Sequence, residues 1–434
     1  MTFYWKLGIG NLTFSDNILR QSCGFLTHNM VMQKNIICLV IISICSLLFS
    51  GTKNKVTLGI DVLLEKQINL LEGKSVGLIV NPTSVNGSLI PDVDLLCENT
   101  KIKLSALFGP EHGVRGDAPA GEKIKDYVDE VTGLPVYSLY GDRMKPTPEM
   151  LKNIDVLVYD IQDVGSRAYT YIYTMELAME AAKEAGIKFI VLDRPNPIGG
   201  INIEGPLPEK EDSRWPAYNI LPISHGMTIG ELALMFNKEL NIGVDLTVVK
   251  MEGWQRHMLW DDTELQWILT SPHIPTPEAA LCYPGTGLLG EIRNLSVGVG
   301  YTKPFEIIGA PWIDGNILAR ELNGKRLSGV YFRPIYYKPF YFRYTGKTCS
   351  GVEIHILDKE AFKPVATSVY ILAAIQKLYP GQLDFENSPG FRWAVGDEEL
   401  IQQIESGKSA EEILDSWQKD EEKFRSLRKK YLLY

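Results

Sequence analysis

The stretch Leu104-Ser-Ala-Leu-Phe-Gly-Pro-Glu-His-Gly-Val-Arg-Gly-Asp-Ala-Pro-Ala-Gly-Glu122 carries the pattern that decides the fold of this 434-residue chain. It begins as an apolar run typical of a buried strand and breaks at Gly109-Pro110. The loop that follows brings Glu111, His112 and Arg115 close together in sequence. Because ligands of α/β proteins bind outside the carboxyl ends of parallel strands, titratable side chains just past a strand predict a functional site. A solvated surface loop is the alternative interpretation of this stretch alone.

Strands and helices alternate from Leu58 to about Lys250. Apolar runs predict strands at 75–80, 103–108, 134–139, 155–160, 188–193 and 246–249. Tyr171–Ala185 predicts a helix, because its apolar residues recur at steps of three and four before Gly186. Such alternation is typical of a parallel sheet covered on both faces. We therefore predict an α/β fold with a Rossmann-like domain over residues 56–252.

The amino-acid composition of the sequence changes after about residue 252. Residues 253–345 are rich in Pro, Gly and aromatic residues, with short apolar runs and many turns. Further on, Gly351–Leu357 predicts a strand, and Val365–Tyr379 and Ala410–Leu432 predict helices. We predict a second, smaller α+β domain over residues 253–434, with the active-site cleft between the two domains.

Polar side chains follow three of the predicted strands in the same way. Because parallel strands end at one edge of a sheet, these side chains are expected to lie along a common edge. With two residues of the second domain, the predicted substrate-binding residues are Arg115, Asp160, Gln162, Asp163, Arg167, Tyr169, Asp193, Arg194, Asn196, Glu204, Glu291 and Asn294.

The composition excludes some classes of function. The net charge is −9, so the chain lacks the basic balance that nucleic acids or anionic membranes attract. No feature of the sequence indicates a protein partner. Lys34 precedes an apolar run of 14 residues from Ile36 to Phe49, which is typical of a signal peptide and short for a membrane span. We expect a signal peptide over residues 30–51, a possible mis-called extension over residues 1–29, and export to the periplasm or cell envelope.

Two other patterns carry little weight. Gly285-Thr-Gly-Leu-Leu-Gly290 formally matches a dinucleotide fingerprint, but Pro284 precedes it and no acidic residue follows at ribose-binding distance. A tight turn presenting Glu291 and Asn294 to the cleft is the better interpretation. The histidines lack metal-ligand spacing, so neither a metal nor a cofactor is expected.

The sequence resembles a known family through several long motifs in order. They are Phe108-Gly-Pro-Glu-His-Gly-Val-Arg-Gly, Val158-Tyr-Asp-Ile-Gln-Asp-Val-Gly-Ser-Arg-Ala-Tyr-Thr-Tyr and Leu192-Asp-Arg-Pro-Asn-Pro-Ile-Gly-Gly. The family is that of the exo-β-N-acetylmuramidases, the NamZ/YbbC-like proteins. The resemblance implies release of N-acetylmuramic acid from the non-reducing end of peptidoglycan fragments, for cell-wall turnover. The sequence departs from the family motif at Val297 and Val299, where an acidic residue and an arginine are expected. These two differences bear on the exact substrate.

The resemblance favours Glu111 as the catalytic acid, with His112 adjusting its proton affinity or binding substrate. A carboxyl in a desolvated cleft stays protonated near neutral pH and can donate to a leaving group. Asp160, Glu204 and Glu291 are candidates for a second carboxylate, and the substrate's own 2-acetamido group is an alternative. Arg167 or Arg194 is expected to pair with the lactyl carboxylate of muramic acid, because guanidinium binds carboxylate bidentately.

Two other functions remain open from the sequence. A non-catalytic, exported muropeptide- or sugar-binding protein would share the cleft but not the turnover. An amidase or esterase acting on the same material would need a metal or a nucleophile, and neither is evident in the sequence.

Overall fold

The computed structural model describes residues 56–116, 121, 124–209, 212 and 214–434. The predicted signal peptide, the possible N-terminal extension and Asp117, which follows Arg115 in the loop after Gly109-Pro110, lie outside these residues. Residues Asn54–Tyr434 form one compact unit.

A seven-stranded sheet occupies the first half of the described chain. In the order β3-β4-β2-β1-β5-β6-β7, neighbouring strands pair in parallel, except β3 with β4. The parallel sheet predicted from sequence is confirmed, and the short edge strand β3 is an addition. The strands are β1 (Ser75–Val80), β2 (Lys103–Gly109), β3 (Tyr127–Val128), β4 (Pro135–Ser138), β5 (Val156–Asp160), β6 (Lys188–Leu192) and β7 (Leu246–Val249).

Both faces of this sheet are buried, as near-continuous runs of Val, Ile and Leu predict. Leu78 and Val158 point into one apolar cluster, which also contains residues of helices α1 (Gly59–Lys66) and α2 (Asp92–Glu98). Ile79 and Tyr159, their chain neighbours, point into the opposite cluster. The alternation follows from the period of two along a strand.

The opposite face carries the helices α3 (Pro148–Leu151), α4 (Tyr171–Ala185) and α5 (Ile229–Glu239). Helix α4 has the predicted bounds, and it ends at Gly186, whose φ of 68° places it in the left-handed region that glycine adopts readily. Helix α5 begins with a capping box between Thr228 and Glu231, which satisfies backbone donors that the first turn leaves free.

The second half of the chain is α+β, as predicted. Its antiparallel sheet has the order β8-β10-β9. Its elements are α6 (Pro277–Gly290), β8 (Ile307–Ala310), α7 (Gly315–Gly324), β9 (Val330–Tyr337), β10 (Cys349–Ile356), α8 (Pro364–Leu378), α9 (Pro389–Val395), α10 (Leu400–Glu405) and α11 (Ala410–Arg428).

Both halves share one apolar cluster. Met175 of α4, Val352 of β10 and Ile413 of α11 all belong to the cluster on the second face of the large sheet. A shared core explains why Asn54–Tyr434 forms a single unit, and the domain border expected near residue 252 stays a prediction.

The prediction of a tight turn at Gly285–Gly290 is wrong, because these residues are the last turns of α6. The glycine at 285 permits close packing instead: a Cβ there would lie 2.0 Å from the carbonyl oxygen of Pro364 at the start of α8. Gly285 therefore lets α6 and α8 approach each other closely. Within the described residues, no helix has both the length and the apolar character to cross a membrane.

Candidate active site

The loop after β2 turns sharply and separates the environments of its two predicted catalytic residues. His112 and Gly113 both have a φ of 74°, a left-handed conformation that is uncommon for a residue other than glycine. This double turn buries His112 and leaves Glu111 partly exposed at the edge of the sheet. Backbone strain of this kind is found at functional sites, where the surrounding structure holds it in place.

Glu111 and His112 face a cavity of about 310 Å³, which we call the catalytic cavity. Residues at the start of α4, chiefly Tyr169 and Tyr171, form one wall. The opposite wall comes from the second half of the chain and consists of Ser271, His273, Ile274, Tyr283, Glu291 and Phe305. The cavity therefore lies between the carboxyl edge of the large sheet and the second half, where the cleft was predicted.

Glu111 is held by one backbone donor and one tyrosine. Its Oε1 accepts a hydrogen bond from the backbone N–H of Gly121 at 3.0 Å. Burial and the Glu111 carboxylate, to which its hydroxyl is hydrogen-bonded, raise the pKa of Tyr140 to about 12. Tyr140 is therefore protonated at neutral pH and donates to Glu111. The carboxyl group has a fixed direction and still reaches the cavity, a useful combination for a proton donor.

His273 lies opposite Glu111 in the same cavity. Burial lowers the pKa of His273, and the nearby His112 lowers it further, while Glu111 raises it. The ring of Tyr341 stacks on His273 with centroids 6.0 Å apart. A neutral imidazole at this position can both donate and accept a hydrogen bond.

Three tyrosines form the inner wall of the catalytic cavity. Tyr169 meets the rings of Tyr171 and Tyr283 edge to face, at centroid distances of 4.9 and 5.6 Å. Burial raises the pKa of all three tyrosines, so each keeps its proton. The Tyr171 hydroxyl donates to the carbonyl of Thr270 at 2.9 Å, which links α4 to the second half of the chain.

Glu291 is the second carboxylate of the catalytic cavity. It follows the last residue of α6 and remains exposed. Partial desolvation raises the pKa of Glu291, and the Arg343 guanidinium opposes this rise. A Cβ at Gly390 would lie 2.2 Å from Glu291 Oε2, so the carboxylate rests directly against that glycine. Among Asp160, Glu204 and Glu291, the structure brings only Glu291 into the cavity that Glu111 lines.

Asp160 and Arg194 form a buried ion pair away from this cavity. Arg194 Nη2 donates to Asp160 Oδ2 at 2.9 Å, and Arg194 Nε donates to Oδ1. A third buried group, Asp92, lies 3.6 Å from Arg194 Nη2. Nε and Nη2 are the two parallel donors on one side of the guanidinium, and both are already paired with Asp160. The prediction that Arg194 binds a lactyl carboxylate is therefore not supported.

Arg167 is also a structural residue. Its side chain is fully buried, and its Nη atoms donate to the carbonyls of Pro206, Leu221, Ala394 and Val395 at 2.6–3.1 Å. These carbonyls belong to loops of the first half and to the end of α9. The prediction that Arg167 binds the lactyl carboxylate is wrong, because the guanidinium holds the two halves together and is closed to solvent.

Asp193 and Glu204 anchor neighbouring elements. Asp193 accepts hydrogen bonds from Thr228, from the backbone N–H of Gly230 and from the Tyr434 hydroxyl, at 2.7–2.9 Å. Glu204 Oε2 accepts from two backbone N–H groups at the start of α8, at 3.0 and 3.1 Å. Burial raises the pKa of each carboxyl to about 7. Neither residue lines the catalytic cavity.

The remaining predicted residues also have structural partners. Arg115 pairs with Asp129 and Asp94 at 3.0 and 3.1 Å. Asn196 and Asn294 hydrogen-bond to main-chain groups, at 2.6–3.1 Å. None of the three lines the catalytic cavity, so their predicted contact with substrate is not supported.

Gln162 and Asp163 lie directly behind the site. Gln162 Nε2 donates to the carbonyl of Pro195 at 2.7 Å. Asp163 Oδ2 accepts from the backbone N–H of Gly165 at 2.8 Å and lies 3.4 Å from His225 Nε2. They shape the loop that leads to Tyr169 and do not line the catalytic cavity.

Several residues that line the catalytic cavity were not among the predicted site residues, including His273, Tyr171 and Tyr283. His273 stands alone in a Pro-rich run, and its distance from Glu111 in sequence hides its proximity in space. The alternating tyrosines before α4 were a visible signal, since aromatic residues commonly surround bound sugars. Within the described residues, no group of three His, Cys, Asp or Glu side chains is arranged to hold a metal ion.

Comparisons with known proteins identify the family of this chain. A sequence profile described as exo-β-N-acetylmuramidase NamZ, N-terminal, matches residues 76–278, and its C-terminal counterpart matches residues 281–434. The chain is 52% identical over 385 residues to the peptidoglycan β-N-acetylmuramidase NamZ of Bacillus subtilis strain 168, covering 89% of this chain and 93% of that protein.

Two crystal structures of DUF1343 family proteins from Bacteroides fragilis have the same fold. One has a TM-score of 0.82 at 46% identity and covers 88% of this chain and 100% of its own. The other has a TM-score of 0.68 at 31% identity and covers 87% of this chain and 99% of its own. The two sequence profiles together span nearly all of residues 76–434. The chain belongs to the NamZ exo-β-N-acetylmuramidase family.

Proposed function

We propose that this glycosidase releases N-acetylmuramic acid from the non-reducing end of peptidoglycan fragments, with Glu111 as its general acid. The observation that carries the residue assignment is the position of Glu111, a tethered carboxyl at the mouth of a cavity that also contains Glu291. Paired carboxylates flanking the scissile bond are the usual equipment of glycoside hydrolases.

In this proposal the carboxyl of Glu111 protonates the bridging oxygen. The bond between that oxygen and the anomeric carbon breaks, and the electron pair stays with the leaving sugar. A water molecule then supplies the hydroxyl of the released sugar, and its other proton goes to the carboxylate that activates the water, which is Glu111 in the retaining route and Glu291 in the inverting one. Tyr140 orients the acid by donating a hydrogen bond to it.

Glu291 is our candidate for the second carboxylate. It would stabilise the positive charge that develops on the sugar ring, attack the anomeric carbon, or activate the water. The distance between the two carboxyl groups in a substrate complex separates these routes, since about 5 Å indicates retention and about 6.5–9.5 Å indicates inversion. Participation by the 2-acetamido group would leave Glu291 a smaller, electrostatic role.

The test uses the disaccharide in which N-acetylmuramic acid is joined β-1,4 to N-acetylglucosamine, with a glucosamine-terminated disaccharide as the control. We expect release of N-acetylmuramic acid from the first substrate only, detected by mass spectrometry. Binding of the muramic disaccharide without any release would contradict the proposal and favour the sugar-binding protein considered above. Release from both disaccharides would contradict the muramic specificity.

We further propose that the enzyme works outside the cytoplasm in cell-wall turnover. The supporting observation is the apolar segment from Ile36 to Phe49, which follows Lys34 and precedes small and polar residues. Expression in a Gram-negative host should give a periplasmic protein shortened by cleavage near Ser50–Thr52. A full-length cytoplasmic product would contradict export.

A further inference from the structure

Glu111 borders two cavities. The second cavity, also of about 310 Å³, shares Glu111 and Thr170 with the catalytic cavity. We call it the aromatic cavity, because Tyr140, Tyr173 and Trp215 line it together with Met144 and Leu177. Nothing in the function proposed above uses this second space.

A general acid of a glycosidase must touch the oxygen that bridges two sugars. The two sugars therefore lie on opposite sides of the acid. Since Glu111 borders both cavities, we propose that the catalytic cavity takes the muramic acid ring and the aromatic cavity binds the saccharide that leaves. This assignment rests on the proposed function and adds the direction in which the substrate lies.

The chemistry of the walls decides which cavity takes which sugar. The ring that is cleaved gains positive charge, and the second carboxylate, Glu291, lies only in the catalytic cavity. In the aromatic cavity, the charge of Arg214 is already paired, since its Nε and Nη2 donate to the two oxygens of Asp212 at 3.1 and 2.7 Å. A wall of aromatic and aliphatic side chains suits the apolar face of a neutral amino sugar.

The aromatic wall is rigid before any ligand arrives. The Trp215 ring stacks on Tyr173 at a centroid distance of 5.0 Å and an interplanar angle of 12°. The edge of Trp393 contacts Trp215 at 5.6 Å. Because these rings are already packed, binding of a sugar there costs little side-chain entropy.

The experiment fills the aromatic cavity and compares two substrates. Leu177 is a half-buried residue of α4 in this wall, and Leu177→Trp places an indole where the leaving sugar would lie. One substrate is the muramic–glucosamine disaccharide, and the other is the β-fluoride of N-acetylmuramic acid, whose leaving group is too small to reach the wall. We expect kcat/KM for the disaccharide to fall by about 10–100-fold and that for the fluoride to stay within about twofold.

A second variant and a control guard against a folding defect. Trp215→Leu removes part of the wall and should raise the KM of the disaccharide while leaving the fluoride unchanged. Tyr341 stacks on His273, which lines the catalytic cavity. Tyr341→Ala should therefore change kcat/KM by the same factor for the disaccharide and for the fluoride. The thermal midpoint of each variant checks its fold.

Equal losses on both substrates, or a loss on the fluoride alone, would overturn the assignment. No change with Leu177→Trp on either substrate would overturn it as well. If the wild-type protein cleaves neither the disaccharide nor the fluoride, the proposed function itself fails, and the assignment falls with it. If the wild type cleaves both the disaccharide and the fluoride, but the variants affect the two substrates equally, only the assignment of the aromatic cavity to the leaving saccharide is rejected.

Discussion

The loops after β2, β5 and β6 all begin at the same edge of the large sheet, but their polar side chains differ in burial and in hydrogen-bond partners. Glu111 has one backbone hydrogen bond and faces a cavity. Asp160 and Arg194, in the other loops, are buried and bonded to each other. Arg167 is buried too, with its Nη atoms donating to main-chain carbonyls. Similar residues at equivalent strand ends thus face a cavity in one loop and form structural cross-links in the others.

The difference comes from what covers each loop. The end of α9 and its carbonyls close over Arg167, and the loops after β1 close over Asp160. The loop after β2 lies beside an opening between the two halves of the chain. The Nη donors of Arg167 and the carboxylate oxygens of Asp160 are paired within the protein, which offsets part of the cost of burying their charges.

The largest expected effect is on turnover at Glu111. Glu111→Gln keeps the shape and the acceptor oxygen but removes the proton, so kcat for the muramic disaccharide should fall by about 10²–10⁴. Chemical unfolding should show wild-type stability within about 0.5 kcal/mol, because the site is partly exposed. A variant with more than a tenth of wild-type turnover would place the acid elsewhere.

Arg167 should show the opposite pattern. Arg167→Met leaves the carbonyls of two loops and of α9 without their donor, so the free energy of unfolding should fall by about 3 kcal/mol. The KM of the protein that remains folded should be close to that of the wild type. Urea denaturation measures the first quantity and steady-state kinetics the second. Unchanged stability with a KM raised only for muramic substrates would restore the substrate-binding role.

Glu291 and Glu204 test which second carboxylate acts. Glu291→Gln should lower kcat by about 10²-fold, the size of one lost electrostatic contact in a transition state. Glu204→Gln, whose carboxylate caps α8, should leave kcat unchanged and serves as the matched control. The reverse result would move the reaction away from the catalytic cavity.

The last expected effect is a dependence of the free energy of unfolding on pH, which arises from the buried carboxyl of Glu204. Burial raises the pKa of Glu204 to about 7, so the folded protein holds this proton more tightly than the unfolded chain does. At low pH the Glu204 carboxyl is protonated in both the folded and the unfolded state, so its contribution to the free energy of unfolding does not change with pH there. It turns unfavourable as the pH rises through the window from the ordinary carboxyl pKa to about 7, and then it levels off.

The measurement compares wild type with Glu204→Gln by urea unfolding between pH 4 and 8. Relative to the variant, the wild type should lose up to about 3 kcal/mol across this window, since one pKa unit corresponds to about 1.4 kcal/mol. A constant difference in stability across the range would show that folding does not change the pKa of Glu204.

Much of the fold follows from local patterns in the sequence. The six parallel strands and helix α4 are found where apolar periodicity and Gly186 predict them, because burial on both faces requires continuous apolar strands. The helix α6 was missed, because its Pro284 and three glycines resemble a loop locally. Gly285 is explained by the close approach of α8, a contact between segments far apart in sequence.

The site was predicted less completely than the fold. Glu111, His112, Tyr169 and Glu291 do line one cavity. The other predicted residues are at the right edge of the sheet but are covered by later segments, and sequence position alone does not reveal what covers a loop. His273 was missed for the same reason, since its neighbours in space are Glu111 and His112, which lie more than a hundred residues away in the sequence.

The most direct test of the central claim compares leaving groups in the Glu111→Gln variant. The unactivated disaccharide needs a proton on its leaving oxygen, whereas a nitrophenyl glycoside of N-acetylmuramic acid hardly does. If Glu111 is the acid, kcat/KM should fall by about 10³ or more for the disaccharide and by at most about tenfold for the nitrophenyl glycoside. Equal losses on the two substrates would contradict the account, because they would mean that Glu111 supports binding or folding and does not deliver the proton.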